Sequence, residues 1–230
     1  MTVALNVSKR YSMVDAWFYD TIVAPALAAM KPDLAAELLA ALPANGQVLD
    51  VGSGGGQLCI ALAERGPGLR VTGVDISPDQ LRRARRRATA LDERVRFVEN
   101  TAMELPFPDE SFDATISYGS IKHWPDASRG VGEMLRVLRP GGLFVVVELD
   151  RDCSLADARR YIARWRLPRP ARAAWLPIFR RFIAGGSINL EQARTLVADR
   201  PFKEVTVQRI PGEPGLEIIG RKAASRLASE

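Results

Sequence analysis

A short apolar run, Val48-Leu49-Asp50-Val51, leads straight into Gly52-Ser53-Gly54-Gly55-Gly56, and helix-spaced residues follow from Gln57 to Arg65. A strand that turns into a helix through glycines presents backbone N–H groups to a ligand at the positive end of the helix dipole. A nicotinamide-dinucleotide site of the G-x-G-x-x-G kind would need glycine at position 57. Gln57 stands there, and the pattern is instead D-x-G-x-G-x-G from Asp50 to Gly56. Asp75 closes a second apolar run, Leu69 to Asp75, 19 residues beyond Gly56. A carboxylate at such a strand end is placed to accept both hydroxyls of a ribose. It is not needed as a helix cap, because Ser77 fills that role, with Pro78 at the first helical position and Gln80 completing a capping box.

The remaining elements follow the same alternation. Residues 33–42 read as a helix with Asp33 as N-cap, ended by Pro43 and Gly46. Arg96 to Val98 and Phe112 to Ser117 read as the third and fourth strands. Residues 129–138 read as a helix stopped by Pro140-Gly141-Gly142, and Leu143 to Leu149 as a fifth strand. Two closing strands, Glu204 to Ile210 and Leu216 to Arg221, flank a Pro211-to-Gly215 turn. Strands alternating with helices predict an α/β fold: a Rossmann-like, seven-stranded, mostly parallel sheet with helices on both faces. A helical insertion separates strands five and six. The whole reads as one domain, with a helical lid over 1–44, a core over 45–150, an acceptor-side insertion over 151–200 and closing strands over 201–230.

Three blocks of residues carry a family resemblance. They are 48–56, Gly73 to Ser77, and Glu104-Leu105-Pro106-Phe107-Pro108-Asp109-Glu110-Ser111-Phe112-Asp113. Together they resemble the class I S-adenosylmethionine-dependent methyltransferases, in the small-molecule group that includes the ubiquinone/menaquinone C-methyltransferase-like enzymes. Arg136 to Gly142 also matches that family's approach to strand five. The resemblance is dense over about 45–150. It implies S-adenosylmethionine as cofactor, with Gly52, Ser53 and Gly54 along its methionine part and Asp50 beneath the loop. Asp75 would hold the ribose and Ile76 would lie against the adenine. The family's Asp after strand three falls here on Thr101, whose hydroxyl accepts a hydrogen bond without a charge, so Ala102 backbone and Met103 packing would carry the adenine contact. Ser117 would face the sulfur region.

Methyl transfer from a sulfonium is an in-line displacement in which alignment contributes roughly 7–11 kcal/mol where geometry is ideal. A dedicated base is needed only where the acceptor loses a proton. His123, the single histidine, lies just past strand four in Ser120-Ile121-Lys122-His123-Trp124 and is the candidate catalytic base. Related proteins often have two adjacent histidines here, and Lys122 takes the first place. The alternative is that His123 and Trp124 only pack this loop. Tyr11 is a second catalytic candidate, with Tyr19 and Asp20 behind it. Ile116 to Ser120 lacks the Asn/Asp-Pro-Pro-aromatic motif of base aminomethylators, which argues against DNA-adenine chemistry.

Composition narrows the rest. One histidine and two separated cysteines, Cys59 and Cys153, make neither a metal-ligand set nor a disulfide framework. With no run of 18 apolar residues and no signal-peptide core, the expectation is a cytoplasmic protein without a metal. The net charge of +5 is uneven: residues 151–200 hold eleven Arg, no Lys and four acids, a local +7. Arg82, Arg83, Arg85, Arg86 and Arg87 share a helix with Leu81, Ala84, Ala88 and Leu91 at buried spacing, and read as a solvated face. The arginines of 159–183 interleave with Tyr161, Trp165, Trp175, Phe179 and Phe182. Three readings stand: a lid with a solvated outer face, a pocket for an anionic acceptor, and a peripheral membrane contact for amphipathic acceptors. For the chain as a whole, a small-molecule methyltransferase acting on an O, S or C nucleophile stands against two alternatives: an inert cofactor-binding protein and an RNA methyltransferase led by the basic segment.

Overall fold

The computed structural model describes residues 26–27, 29–165 and 167–224. Its centre is β1 (Gln47–Val51), which pairs in parallel with β2 (Arg70–Asp75) on one side and β4 (Phe112–Tyr118) on the other. The sheet has seven strands in the order β3-β2-β1-β4-β5-β7-β6, where β3 is Val95–Glu99 and β5 is Leu138–Leu149. The closing strands β6 (Phe202–Arg209) and β7 (Gly215–Lys222) form an antiparallel hairpin, and β7 runs antiparallel to β5. The expected seven-stranded, mostly parallel sheet is therefore the sheet that forms. Chain order reverses direction across the sheet between β1 and β4, so a crevice opens at their carboxyl ends, where open α/β sheets bind ligands.

Strands buried on both faces need apolar residues at successive positions, and β1 supplies them. Val48 faces one layer and Leu49 the other, and both are fully buried. The Val48 layer receives α1 (Leu34–Ala41), α2 (Gln57–Arg65) and α3 (Pro78–Arg87) through Leu38, Leu62, Leu81 and Ala84. The Leu49 layer receives α4 (Ala127–Val137) through Val131, Met134 and Leu135. At the far edge, β6 is largely exposed and carries Lys203, Glu204 and Arg209, charge that discourages pairing with another sheet.

Some boundaries differ from the sequence expectation. The strand expected from Leu143 begins at Leu138, so Pro140-Gly141-Gly142 does not end an element but bulges within β5, where pairing jumps from Phe112↔Leu138 to Ala114↔Leu143. The capping box at α3 is only half formed. Ser77 accepts from the Gln80 N–H, while the Gln80 side-chain oxygen is buried without a partner among the described residues. The arginine face of α3 is not merely solvated either. Arg85 donates to the Phe97 carbonyl at 2.9 Å and Arg87 to the Gly55 carbonyl at 3.0 Å, so two of these cations fasten α3 to β3 and to the glycine loop.

The insertion is helical, with α5 (Leu155–Ala163), α6 (Arg169–Ile178), a π-helical turn over Phe179–Ala184, and α7 (Leu190–Thr195). Tyr161, Trp165 and Phe179 are buried against one another, with ring centroids 5.1 to 6.2 Å apart. These aromatics are therefore core that pins the insertion to the sheet layer, and only part of the aromatic pattern of 159–183 remains outside.

Arg136 organises the segment before β4. Its guanidinium bonds both oxygens of Glu133 at 2.8 Å, Asp109 at 2.7 Å, and the carbonyls of Phe107 and Leu105 at 2.8 and 2.9 Å, while Glu133 also accepts the Leu105 N–H at 2.7 Å. Charge-assisted bonds of this kind contribute about 1.5–3 kcal/mol where shielded, less where half-exposed. The Arg136→Ala variant is expected to lower stability by about 2 kcal/mol, which is a fall of about 4–8 °C in unfolding midpoint. Arg136→Lys should recover less than half of it, because an ammonium cannot reproduce the fork. Thermal unfolding followed by circular dichroism checks both.

Candidate cofactor and acceptor site

The turn after β1 is built from left-handed glycines: Gly52 at φ +79°, Gly54 at +51° and Gly56 at +75°. Such angles suit glycine alone without strain. Close packing reinforces the requirement, since a Cβ on Gly52 would lie 1.8 Å from Ser120 Oγ, and one on Gly56 2.6 Å from the Phe97 ring. At Gly54 a Cβ would meet nothing within 4 Å, so this side of the loop is open. The loop is sewn to the end of β2: the N–H groups of Gly52 and Ser53 donate to the Val74 carbonyl at 2.7 and 3.0 Å. Asp75 completes the seam. One carboxylate oxygen accepts the Gly54 N–H at 2.8 Å and the other accepts the Ser77 N–H at 2.8 Å, with the Ile76 N–H a third backbone donor, which fixes the carboxylate and leaves it further accepting capacity.

A cleft of about 190 Å³ opens beside this loop, lined by Asp50, Gly52, Ser53, Gly54, Gln57 and Tyr118 among others. Asp50, Gly52, Ser53 and Gly54 thus come together as expected. Asp75, Ile76, Thr101, Ala102 and Met103 lie at or just beyond the carboxyl ends of β2 and β3, outside the lining of that cleft. Ile76 is 63% exposed, an apolar side chain left free for a flat apolar partner. The Thr101 hydroxyl already accepts the Met103 N–H at 3.3 Å, and so first shapes this turn. Ser117 is fully buried, and its hydroxyl has no partner among the described residues. Tyr11 lies outside the described residues, as do Tyr19 and Asp20. Among the described residues no cluster of three or more His, Cys, Asp or Glu could hold a metal ion, and no helix is long and apolar enough to cross a membrane.

His123 sits in a 3-10 turn, Ile121–His123, that the glycine loop touches through Ser120. Ser120 Oγ accepts the Trp124 indole N–H at 2.9 Å, and Trp124 stacks where a Cβ on Gly130 would stand, so the turn is braced on α4. A buried acid lies beneath it. Glu148, on β5 and fully buried, accepts the Lys122 N–H at 3.3 Å and faces its ammonium at 3.7 Å. A glutamate inside an otherwise apolar strand, Phe144 to Leu149, was the available signal. Tyr118 lines the cleft, outside the sequence motifs. It lies one residue beyond Ser117 and therefore on the opposite face of β4, and its hydroxyl donates to the Leu27 carbonyl at 2.5 Å.

Burial dominates the electrostatics. It pushes the Asp50 carboxyl up to about 7; the Cys59 thiol, 3.3 Å away, pulls it back, and the nearby Asp75 charge pushes it further up. Asp75 is raised in the same sense by burial, against the backbone N–H bonds it accepts. His123 is lowered to about 4, by burial first and by the Lys122 ammonium second, so its imidazole is neutral at neutral pH. Two buried acids beside the glycine loop make a site that a cationic ligand would relieve.

Comparison with known proteins agrees with this geometry. Residues 49–146 match the family model described as a methyltransferase domain. Demethylmenaquinone methyltransferase of Thermus thermophilus is 47% identical over 103 residues, covering 44% of this chain and 46% of that protein. A ubiquinone/menaquinone biosynthesis C-methyltransferase of Rickettsia bellii is 38% identical over 114 residues, covering 46% of each. The chain thus spans about half the length of the curated relatives it matches. Over nearly its whole length the fold is similar to the crystal structure of a putative S-adenosylmethionine-dependent methyltransferase from Methanococcus maripaludis. The TM-score is 0.70 at 22% identity, covering 95% of this chain and 97% of that one.

The raised Asp50 sets a pH dependence. Its stabilising contribution is full below the ordinary value of 3.8 and is lost as pH rises through about 7. The depressed His123 works the other way, full above 6.5 and lost as pH falls through about 4. Asp50→Asn removes the first effect alone. Between mildly acidic and mildly alkaline pH, the unfolding midpoint of the wild type should fall relative to that of Asp50→Asn by several degrees. Parallel curves would show that Asp50 does not titrate in this range.

Proposed function

We propose that this chain, whose residues 49–146 match the methyltransferase-domain model, is a class I S-adenosylmethionine-dependent methyltransferase that methylates a ring carbon of a quinol-type aromatic acceptor. The observation that carries the cofactor half is the Asp75 carboxylate, fixed by backbone N–H groups of Gly54 and Ser77 beside an open Gly54. Those residues fit the cofactor. Asp75 would take the ribose hydroxyls, exposed Ile76 the adenine face, and Asp50 with Ser53 the polar methionine end. Bound there, S-adenosylmethionine supplies a sulfonium methyl group that a nucleophile takes in line, leaving a neutral thioether.

The acceptor half rests on the names of the quinone-related relatives and on the state of His123. A phenolic hydroxyl ordinarily titrates near 10, far above an imidazole held at about 4, so His123 is a poor base for O-methylation. Carbon methylation asks less of it. Once the ring carbon has bonded to the methyl group, the proton on that carbon is strongly acidic, and a weak neutral imidazole suffices to take it as the ring regains aromaticity. His123 receives that proton at a ring nitrogen. Ser120 and Trp124 hold the turn, and the Lys122–Glu148 pair fixes the residue before His123.

Three outcomes are expected. Asp75→Ala should weaken S-adenosylmethionine binding about 10- to 100-fold in calorimetry, the loss of a charged hydrogen-bond acceptor. His123→Ala should lower kcat about 100-fold while leaving cofactor affinity within a factor of two; near-normal turnover would leave His123 a packing residue. A cofactor-consumption screen over quinols, phenols, thiols and carboxylates should respond to quinols. Cofactor binding with no turnover on any class would favour an inert cofactor-binding protein instead.

A further inference from the structure

From Ala158 to Leu190 the chain holds eight arginines and neither a lysine nor an acid. Two of the eight are matched from outside this stretch, Arg160 by Asp157 and Arg164 by Glu213, the latter at 2.6 Å through its second guanidinium nitrogen. Arg159, Arg169, Arg180 and Arg181 are exposed and have no acidic partner among the described residues. A solvated lid has no physical need to exclude acids, because mixed charge lowers self-repulsion. The segment is thus a concentrated single-sign surface.

Apolar exposure coincides with it. Phe182 is 57% exposed and Ile178 40% exposed, while their neighbour Phe179 is fully buried with Tyr161 and Trp165. Burying Phe179 turns Ile178 and Phe182, four residues apart, outward. Ala174, one further step of four back, is exposed too. The Arg181 guanidinium lies 6.0 Å from the centre of the Phe182 ring, so charge and apolar surface are adjoining parts of one ridge. Pro177 within α6 and the π turn that follows give this ridge its shape. The ridge belongs to the insertion that leaves the carboxyl end of β5, the same end of the sheet as the glycine loop.

We propose that this ridge docks on an anionic lipid bilayer, with Phe182 and Ile178 at the headgroup boundary and Arg180 and Arg181 among the lipid phosphates. Arginine stems and an aromatic wedge beside them suit that boundary, where one end of a side chain is apolar and the other wet. A free polyanion would engage the arginines and leave Phe182 and Ile178 without a role, which is why a lipid surface is the occupant that uses the whole ridge. The inference depends on the charge and exposure of the insertion and stands whether or not the acceptor is a quinol.

The test is co-sedimentation of the full chain with phosphatidylcholine vesicles, with and without phosphatidylglycerol, together with a short RNA as competitor. The expected result is binding only to the vesicles that contain phosphatidylglycerol, released by high salt. Two double variants, Arg180→Glu with Arg181→Glu and Ile178→Ser with Phe182→Ser, should each lower the bound fraction at least about tenfold. All four positions are exposed, and unchanged thermal unfolding of both variants verifies that the fold is kept. Absence of sedimentation, equal binding to neutral vesicles, or full binding by the Ile178/Phe182 variant would overturn the proposal. So would tight RNA binding unaffected by that variant, which would make the ridge a nucleic-acid surface. Loss of cofactor binding in Asp75→Ala leaves the sedimentation result unchanged, so the two readings fail separately.

Discussion

The seam between the glycine loop and the end of β2 holds the rest in place. Three successive N–H groups, of Gly52, Ser53 and Gly54, are taken up by the Val74 carbonyl and the Asp75 carboxylate. Buried N–H groups left unpaired are costly, so these bonds fix the loop's path more firmly than its glycine content alone would allow. The path then dictates what may stand nearby. Gly73 must lack a side chain, because a Cβ there would lie 2.6 Å from Ser53 Oγ and 2.8 Å from the Phe97 ring. Ser120 must stay small beside Gly52, which brings the turn carrying Lys122 and His123 against the loop.

Charge is arranged around that seam in a consistent order. Asp50 and Asp75 are both raised by burial, so the region has a stake in a cationic ligand that would relieve them. On the β5 side the pattern is reversed: Glu148, Asp150 and Glu217 are buried, and each already has a cation, Lys122, Arg209 and Lys31 in turn. Buried pairs of this kind fix geometry more than they add stability, since desolvation offsets much of the attraction. Here they fix Lys122 after β4 and Asp150 after β5, and tie Lys31, before α1, to β7.

The insertion shows how a single residue pattern can serve two ends. Alternating Arg and aromatic residues over 159–183 looked uniform along the chain. In three dimensions Tyr161, Trp165 and Phe179 close the core while Ile178 and Phe182 stay outside, among arginines that have no acidic partner among the described residues. The π turn at Phe179 and Pro177 before it decide which aromatic faces which way, and neither is a regular helical period from which facing could be counted.

Local sequence determined the strand-loop-helix of 48–65, the acid at the end of β2, the order of alternating elements and the localisation of positive charge. Each of these is set by near neighbours: apolar runs, glycine angles, a cap, a block of arginines. Pairings between distant segments were decided only by the tertiary structure. The tether from Arg87 to Gly55, the buried Glu148 beneath Lys122, Tyr118 in the cleft wall and the bulge at Pro140 to Gly142 all depend on which strand lies beside which. The same holds for His123. Its sequence position marked it as a candidate base, but burial and the adjoining ammonium set its basicity.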